Sequence, residues 1–352
     1  MRISAIRRRY QKYDATSEFG LAPESSDSPD QLLEDPEALL CPRGSFPHAS
    51  MRCMSERRIP ISTPSGTFEV WTQTLGANPR ARVLLLHGGP AVTHEYFESL
   101  APALVDGGLE VIYYDQLGSH ASDQPDDPSL WTLERFVDEV EQVRIALGLD
   151  REDFIILGHS WGGLLGIEYA LTHGEHLKAL IVSNMMSSIP AYDRFAREVI
   201  MPTMDPTALA RIQEIEAAED YANPEYEALL MEHHYVHHVL RKPADEWPEP
   251  VTRSFAHVNP AIYVPMQGPS ELGSTPQASL YSWDRFDDLA DIAVPTLVIG
   301  AEHDTMDPAH MRDMADRLPR GTYLDCPDGS HMAMWDDPEV YVAGVLDFVR
   351  GL

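Results

Sequence analysis

The stretch Phe154-Ile155-Ile156-Leu157-Gly158-His159-Ser160-Trp161-Gly162-Gly163 runs straight into Leu164-Leu165-Gly166-Ile167-Glu168-Tyr169-Ala170. A continuous apolar run, a cluster of small residues around a serine, and a second run of helical character predict a strand, a tight elbow and a helix. Glycines on both sides of Ser160 permit the strained dihedrals that lift a serine hydroxyl into a cleft. Ser160 is therefore the candidate nucleophile. A Gly-x-Ser-x-Gly pattern arises by chance roughly one time in ten in a chain of this length, so the assignment depends on what surrounds it.

Apolar runs of the same kind recur at Val83-Leu84-Leu85-Leu86, Val111-Ile112-Tyr113-Tyr114, Leu180-Ile181-Val182 and Thr296-Leu297-Val298-Ile299, with a shorter one at Tyr323-Leu324. Runs without polar alternation suit strands covered on both faces. Helical patterns near 95–106, 132–147 and 161–173 lie between them, and a last helix is expected from about Pro338 to Val349. That alternation predicts an α/β fold with a mostly parallel, helix-flanked sheet. Upstream, Arg58-Ile59-Pro60-Ile61 and Thr67-Phe68-Glu69-Val70-Trp71 flank the turn Pro64-Ser65-Gly66 and predict a β-hairpin. The alternation stops near Pro190 and resumes at Thr296. The intervening residues carry helical patterns at 206–217 and 224–240, so 189–285 is expected to be a helical cap between the core segments 56–188 and 286–352. Residues 1–55, rich in Ser, Pro, Asp and Glu, are expected to be a poorly ordered extension.

Composition narrows the function classes. The chain has 352 residues, with 26 Lys and Arg against 56 Asp and Glu, for a net charge of −30. Such a surface repels nucleic acid and anionic lipid, and no apolar stretch approaches membrane-spanning length, so neither nucleic acid nor a membrane is expected as a partner. Cys41, Cys53 and Cys326 form neither a disulfide framework nor a zinc spacing. The basic start Arg2, Arg7, Arg8, Arg9 and Lys12 is not followed by the apolar segment of a secretory signal, so a cytoplasmic location is expected. No oligomeric state follows from the sequence.

A serine hydroxyl is a weak nucleophile near neutral pH and needs a base, and the base needs an orienting acid. His331 follows the strand-like Tyr323-Leu324-Asp325-Cys326, and Asp304 follows the strand ending at Gly300. Both therefore fall on the rim beyond strand ends, in the order nucleophile, acid, histidine. By spacing alone Glu302 and Asp307 compete with Asp304. His87-Gly88-Gly89-Pro90 follows the strand at 83–86, where glycine main chain can face a developing oxyanion. Gly89 and Trp161 are the expected N–H donors. No phosphate-loop or dinucleotide fingerprint is present, and neither cofactor nor metal is expected. His233, His234, His237 and His238 have helical spacing but lack the Glu of a His-Glu-x-x-His motif.

The combined segments resemble the proline iminopeptidase family of serine aminopeptidases, in particular its tricorn-interacting aminopeptidase and amino-acid amidase branch. The resemblance covers most of 60–352. It rests on His87-Gly88-Gly89-Pro90, Tyr114-Asp115-Gln116-Leu117-Gly118 and Gly158 to Gly163. It continues through Gly268-Pro269-Ser270-Glu271, Ala301-Glu302-His303-Asp304 and Gly329-Ser330-His331-Met332-Ala333-Met334-Trp335. It implies an α/β-hydrolase fold, the triad Ser160, Asp304 and His331, and cleavage of a small peptide or amino-acid amide after its first residue. It also implies that Glu271 binds the substrate's free amine. Thr305 departs from the pattern, because relatives commonly carry a second glutamate there, and this predicts relaxed selection for the amine. Ala91 stands where relatives usually have Gly. The alternative readings are an esterase, lactonase or amidase for a specialised metabolite, and a non-catalytic binding protein on the same fold.

Overall fold

The computed structural model describes residues 54–77 and 79–352. Most of the expected N-terminal extension, with Cys41 and Cys53, lies outside the described residues. Its last two positions, Met54 and Ser55, open the first strand, paired with Leu75 and Thr74.

Eight strands form one sheet: β1 (Met54–Thr63), β2 (Gly66–Leu75), β3 (Ala81–Leu86), β4 (Leu109–Asp115), β5 (Phe154–His159), β6 (Ala179–Ser183), β7 (Thr296–Ala301) and β8 (Gly321–Cys326). Their spatial order is β1-β2-β4-β3-β5-β6-β7-β8. β1 and β2 form the expected hairpin, β2 is antiparallel to β4, and the remaining pairs are parallel. The apolar runs are long because the sheet is buried on both faces. Leu84, Leu86, Ile156, Leu180 and Val182 pack into one hydrophobic layer. Their sequence neighbours Val83, Leu85, Ile155, Leu157 and Ile181 pack into the other, as the two-residue period of a strand requires.

In the first half of the sheet, α1 (Ala101–Asp106), α2 (Leu133–Leu147) and α3 (Trp161–His173) connect the strands. The single helix expected at 95–106 is two pieces, a 3-10 turn at His94–Phe97 and then α1, which begins afresh at Ala101 with Pro102 in its first turn, a position that suits proline. Thr132 caps α2 by accepting from the Arg135 amide, and Gly148 ends it in the left-handed region at φ 60°.

Between β6 and β7 the chain inserts α4 (Ile189–Phe195), α5 (Pro206–Ala217), α6 (Pro224–Leu230), α7 (Val236–His238), α8 (Glu249–Ala256) and α9 (Pro260–Met266). The pattern expected at 224–240 is divided by a π turn at Met231–Tyr235. The chain finishes with α10 (Pro308–Arg317), α11 (Ala333–Asp336) and α12 (Pro338–Arg350). Among the described residues no helix is long and apolar enough to cross a membrane.

A buried ion pair ties α2 to the end of β4. Glu139 accepts from the Arg135 guanidinium, from the Tyr114 hydroxyl and, at 2.9 Å, from the Leu117 amide. Removing the carboxylate in Glu139→Ala strands the Arg135 charge in the interior. We expect a loss of about 3–5 kcal/mol of stability, read as a lower midpoint of urea unfolding.

Candidate active site

The parallel register brings the carboxyl ends of the central strands together. Leu86 pairs with Gly158, His159 with Ser183, and Ala301 with Cys326. The segments that follow those ends carry Gly88 and Gly89, Ser160, Asn184, Asp304 and His331, so residues distant in sequence meet on one rim.

Ser160 stands between β5 and α3 at φ 55° and ψ −128°, the strained elbow expected from its neighbours. The flanking glycines are there for space. A Cβ on Gly158 would lie 2.0 Å from the Gly162 carbonyl oxygen, and one on Gly162 would lie 2.0 Å from that of Leu86. α3 can begin this close to β3 and β5 only without side chains.

His331 is buried, and its Nδ1 lies 2.8 Å from Asp304 Oδ1. Of the three acids left open by spacing, Asp304 is the one bonded to His331. Glu302 is exposed, and Asp307 caps α10 by accepting from the Ala309 amide at 2.9 Å. Burial opposes charge on His331, but the attraction and hydrogen bond of Asp304 outweigh it, Glu271 adds to them, and the imidazole pKa is raised. Asp304 is itself held by the Met306 amide on Oδ1 at 3.1 Å and by Asn184 Nδ2 on Oδ2 at 2.8 Å.

Ser160, His331, Gly88, Gly89 and Glu271 line one pocket, whose apolar wall includes Val92, Phe255 and Met332. Glu271 is the single carboxylate among the lining residues. Its Oε1 accepts from the Tyr263 hydroxyl at 2.5 Å. The Thr305 hydroxyl donates to the main-chain oxygen of Glu271 at 2.9 Å and does not line the pocket.

Three residues with a part in this geometry escaped the sequence reading. Asn184 follows β6 at φ 52°, a backbone state that Asn tolerates better than most residues, and it bridges Asp304 and the Ser330 carbonyl. Tyr96 and His159 form a directional chain. The Gly88 amide donates to the Tyr96 hydroxyl at 2.7 Å, and that hydroxyl lies 3.0 Å from His159 Nδ1. His159 Nε2 lies 2.8 Å from the His331 carbonyl, so Nε2 carries the proton and Nδ1 accepts. Burial first, and the neighbouring His331 second, lower the His159 pKa well below the ordinary value, which keeps this tautomer neutral. The Gly88 amide is thereby occupied.

Two rival chemistries lose their support. Burial foremost, with nearby aspartates, pushes the Cys326 thiol up to about 12, so it is no thiolate nucleophile. Of the four histidines at 233–238, His234 and His238 bond to the main-chain carbonyls of Glu271 and His303. Among the described residues, Glu95, His120 and His257 bring ligand atoms within 4.8 Å of one another, as do Glu141, His173 and His176. In the first group the two rings stack parallel at 3.6 Å, so their in-plane lone pairs do not converge, and Glu95 already pairs with Arg253. Neither group lines the pocket.

The strand order and this rim define the class. Residues 81–338 match the family described as the α/β hydrolase fold. The chain is 52% identical over 292 residues to a proline iminopeptidase of Elizabethkingia meningoseptica, covering 83% of this chain and 97% of that one. It is 50% identical, with the same coverage, to a proline iminopeptidase of Flavobacterium johnsoniae. The crystal structure of the Mycobacterium smegmatis proline iminopeptidase superposes with a TM-score of 0.74 at 30% identity, covering 84% of this chain and 98% of that one. The chain therefore belongs to the proline iminopeptidase family of α/β hydrolases.

Because the added Cβ meets main chain and not a movable side chain, Gly158→Ala must displace α3 from β5. We expect it to cost about 1–3 kcal/mol and to lower serine-directed fluorophosphonate labelling; wild-type labelling and stability would contradict this account of the elbow.

Proposed function

We propose that this chain is a serine hydrolase that removes the first residue from a small peptide or amino-acid amide with a free N-terminal amine, as a proline iminopeptidase. The observation that carries the reading is the joint placement of Ser160, His331 and Glu271 in one pocket, with His331 bonded to Asp304. An α-ammonium and the carbonyl it adjoins are a few ångströms apart, so one pocket holding a nucleophile and a carboxylate matches both ends of an amino-acyl group.

In this reading Ser160 Oγ attacks the carbonyl carbon while His331 Nε2 takes the hydroxyl proton. Asp304 holds Nδ1–H and favours the imidazolium that forms. The alkoxide of the tetrahedral intermediate is received by the amides of Gly89 and Trp161; Gly88 is excluded as a donor because its amide is given to Tyr96. The imidazolium then protonates the departing amine, and a water activated by His331 releases the amino acid and restores Ser160. The helices of 189–285 act as the cap. Val239, Phe255 and Glu271 line the pocket from that segment. This reading takes only peptide or amide as its partner.

Ser160→Ala should lower kcat on the order of 10⁵-fold or more. A panel of prolyl anilides with free and acylated amines tests the substrate class, and equal turnover of the two would remove the aminopeptidase reading. Glu271→Gln should weaken kcat/KM about tenfold to a hundredfold on the free-amine member and spare the acylated one.

The pH profile follows from His331. Only its neutral form accepts the serine proton, and its pKa is raised, so kcat/KM should fall as pH drops through a limb above the ordinary histidine value of about 6.5. In Asp304→Asn the opposing effect of burial is left unbalanced, and the limb should move to lower pH while kcat falls on the order of 10⁴-fold. A limb that stays in place would show that another group controls it.

A further inference from the structure

We propose that Thr305 is a positioning residue for Glu271, acting through that residue's main-chain carbonyl as one of three neutral donors, with Tyr192 and His234. This rests on the amine-binding reading of Glu271 and specifies how the carboxylate is placed.

Glu271 lies between α9 and β7 in a segment with neither helix nor strand, so no ladder fixes it. Three side chains from separate parts of the fold converge on its carbonyl oxygen instead. The Tyr192 hydroxyl from α4 donates at 2.8 Å, His234 Nε2 from the π turn at 2.9 Å, and Thr305 Oγ1 from the loop after β7 at 2.9 Å. A carbonyl oxygen has two lone pairs, and three donors saturate it. The clamp is uncharged. Burial foremost pushes His234 down to about 3, so it donates as a neutral imidazole. Burial and the charge of Glu271 keep the Tyr192 phenol protonated. An Arg or Lys in any of these places would fix the loop equally well but would cancel the negative charge that an ammonium needs. Here Glu271 is held by its main chain, and among the described residues only Tyr263 is bonded to its carboxylate.

Thr305 has a second property that the other two donors lack, because it directly follows Asp304. One short loop thus sets the acid behind His331 and, through the hydroxyl of the next residue, the carboxylate across the pocket. In this chain the residue next to the acid contributes reach, not charge.

The test compares prolyl p-nitroanilide with the p-nitrophenyl ester of cyclopentanecarboxylic acid, which keeps the ring and lacks the amine. Thr305→Val preserves shape and deletes the donor. We expect KM for the anilide to rise about three- to tenfold, the worth of one hydrogen bond. Changes in kcat, and in both constants for the ester, should stay under about twofold on the reasoning that only substrate binding is touched. Thr305→Ser should restore the anilide KM. Tyr192→Phe deletes a second donor to the same oxygen, should reproduce the selective rise, and decides the matter should Thr305→Val fail to fold. An unchanged anilide KM in either variant, an equal rise for both substrates, or a serine variant as impaired as valine would overturn the clamp. Glu271→Gln separates the two ideas. If it impairs the anilide selectively while the clamp variants do not, the amine site stands and the clamp falls; if it affects both substrates alike, the amine site itself falls.

Discussion

The geometry of the rim depends on one close approach, the start of α3 against the carboxyl ends of β3 and β5. At Gly158 and Gly162 there is no room for even a methyl group. That contact forces the turn through Ser160 into a left-handed backbone state, whose cost of about 1–3 kcal/mol must be offset by packing elsewhere. The offset is visible in the two apolar layers. Ile155 and Leu157 enter one and Ile156 the other, so β5 is anchored on both faces immediately before the bend. Strain at the serine and burial of the strand are parts of one arrangement.

Much of this was legible because its signals are local. Unbroken apolar runs mark strands buried on both faces, and the helical pattern near 132–147 coincides with α2. The order Ser160, Asp304, His331 could be read because each follows a strand. What could not be read are interactions across long separations. Asn184 meets Asp304 across 120 positions, and His159 meets the His331 carbonyl across 172. No periodicity encodes either. Asp304 could not be told from Glu302 or Asp307 by spacing, because the difference lies in which carboxylate the loop turns inward. Thr305 shows the same limit differently. As a letter it is a missing charge, while in the fold it is a hydrogen-bond donor to the residue thought to need that charge.

The buried histidines also show how little freedom the site has. His87 Nδ1 faces the Gly88 carbonyl and its Nε2 accepts from the Gln116 amide, which assigns its tautomer as firmly as the Tyr96 chain assigns that of His159. Both lie against the rim, both have pKa values lowered chiefly by burial, and neither is available to take a proton from Ser160. His331 differs because a carboxylate stands behind it. Among imidazoles of similar burial, that partner is what favours the charged form.

Glu271 and His331 are coupled through the field they share. The negative charge of Glu271 favours the protonated form of His331, adding to the larger effect of Asp304. A substrate ammonium seated on Glu271 would neutralise that contribution and bring a positive charge of its own, and both effects lower the affinity of His331 for a proton. In the proposed reading, binding the amine would thus favour the neutral imidazole that takes the proton of Ser160 as the serine attacks the neighbouring carbonyl. A ligand that fills the apolar wall without an amine leaves Glu271 charged and the imidazole more basic. The carboxylate would then do more than hold one end of the substrate, because occupancy at that end sets the protonation state at the other.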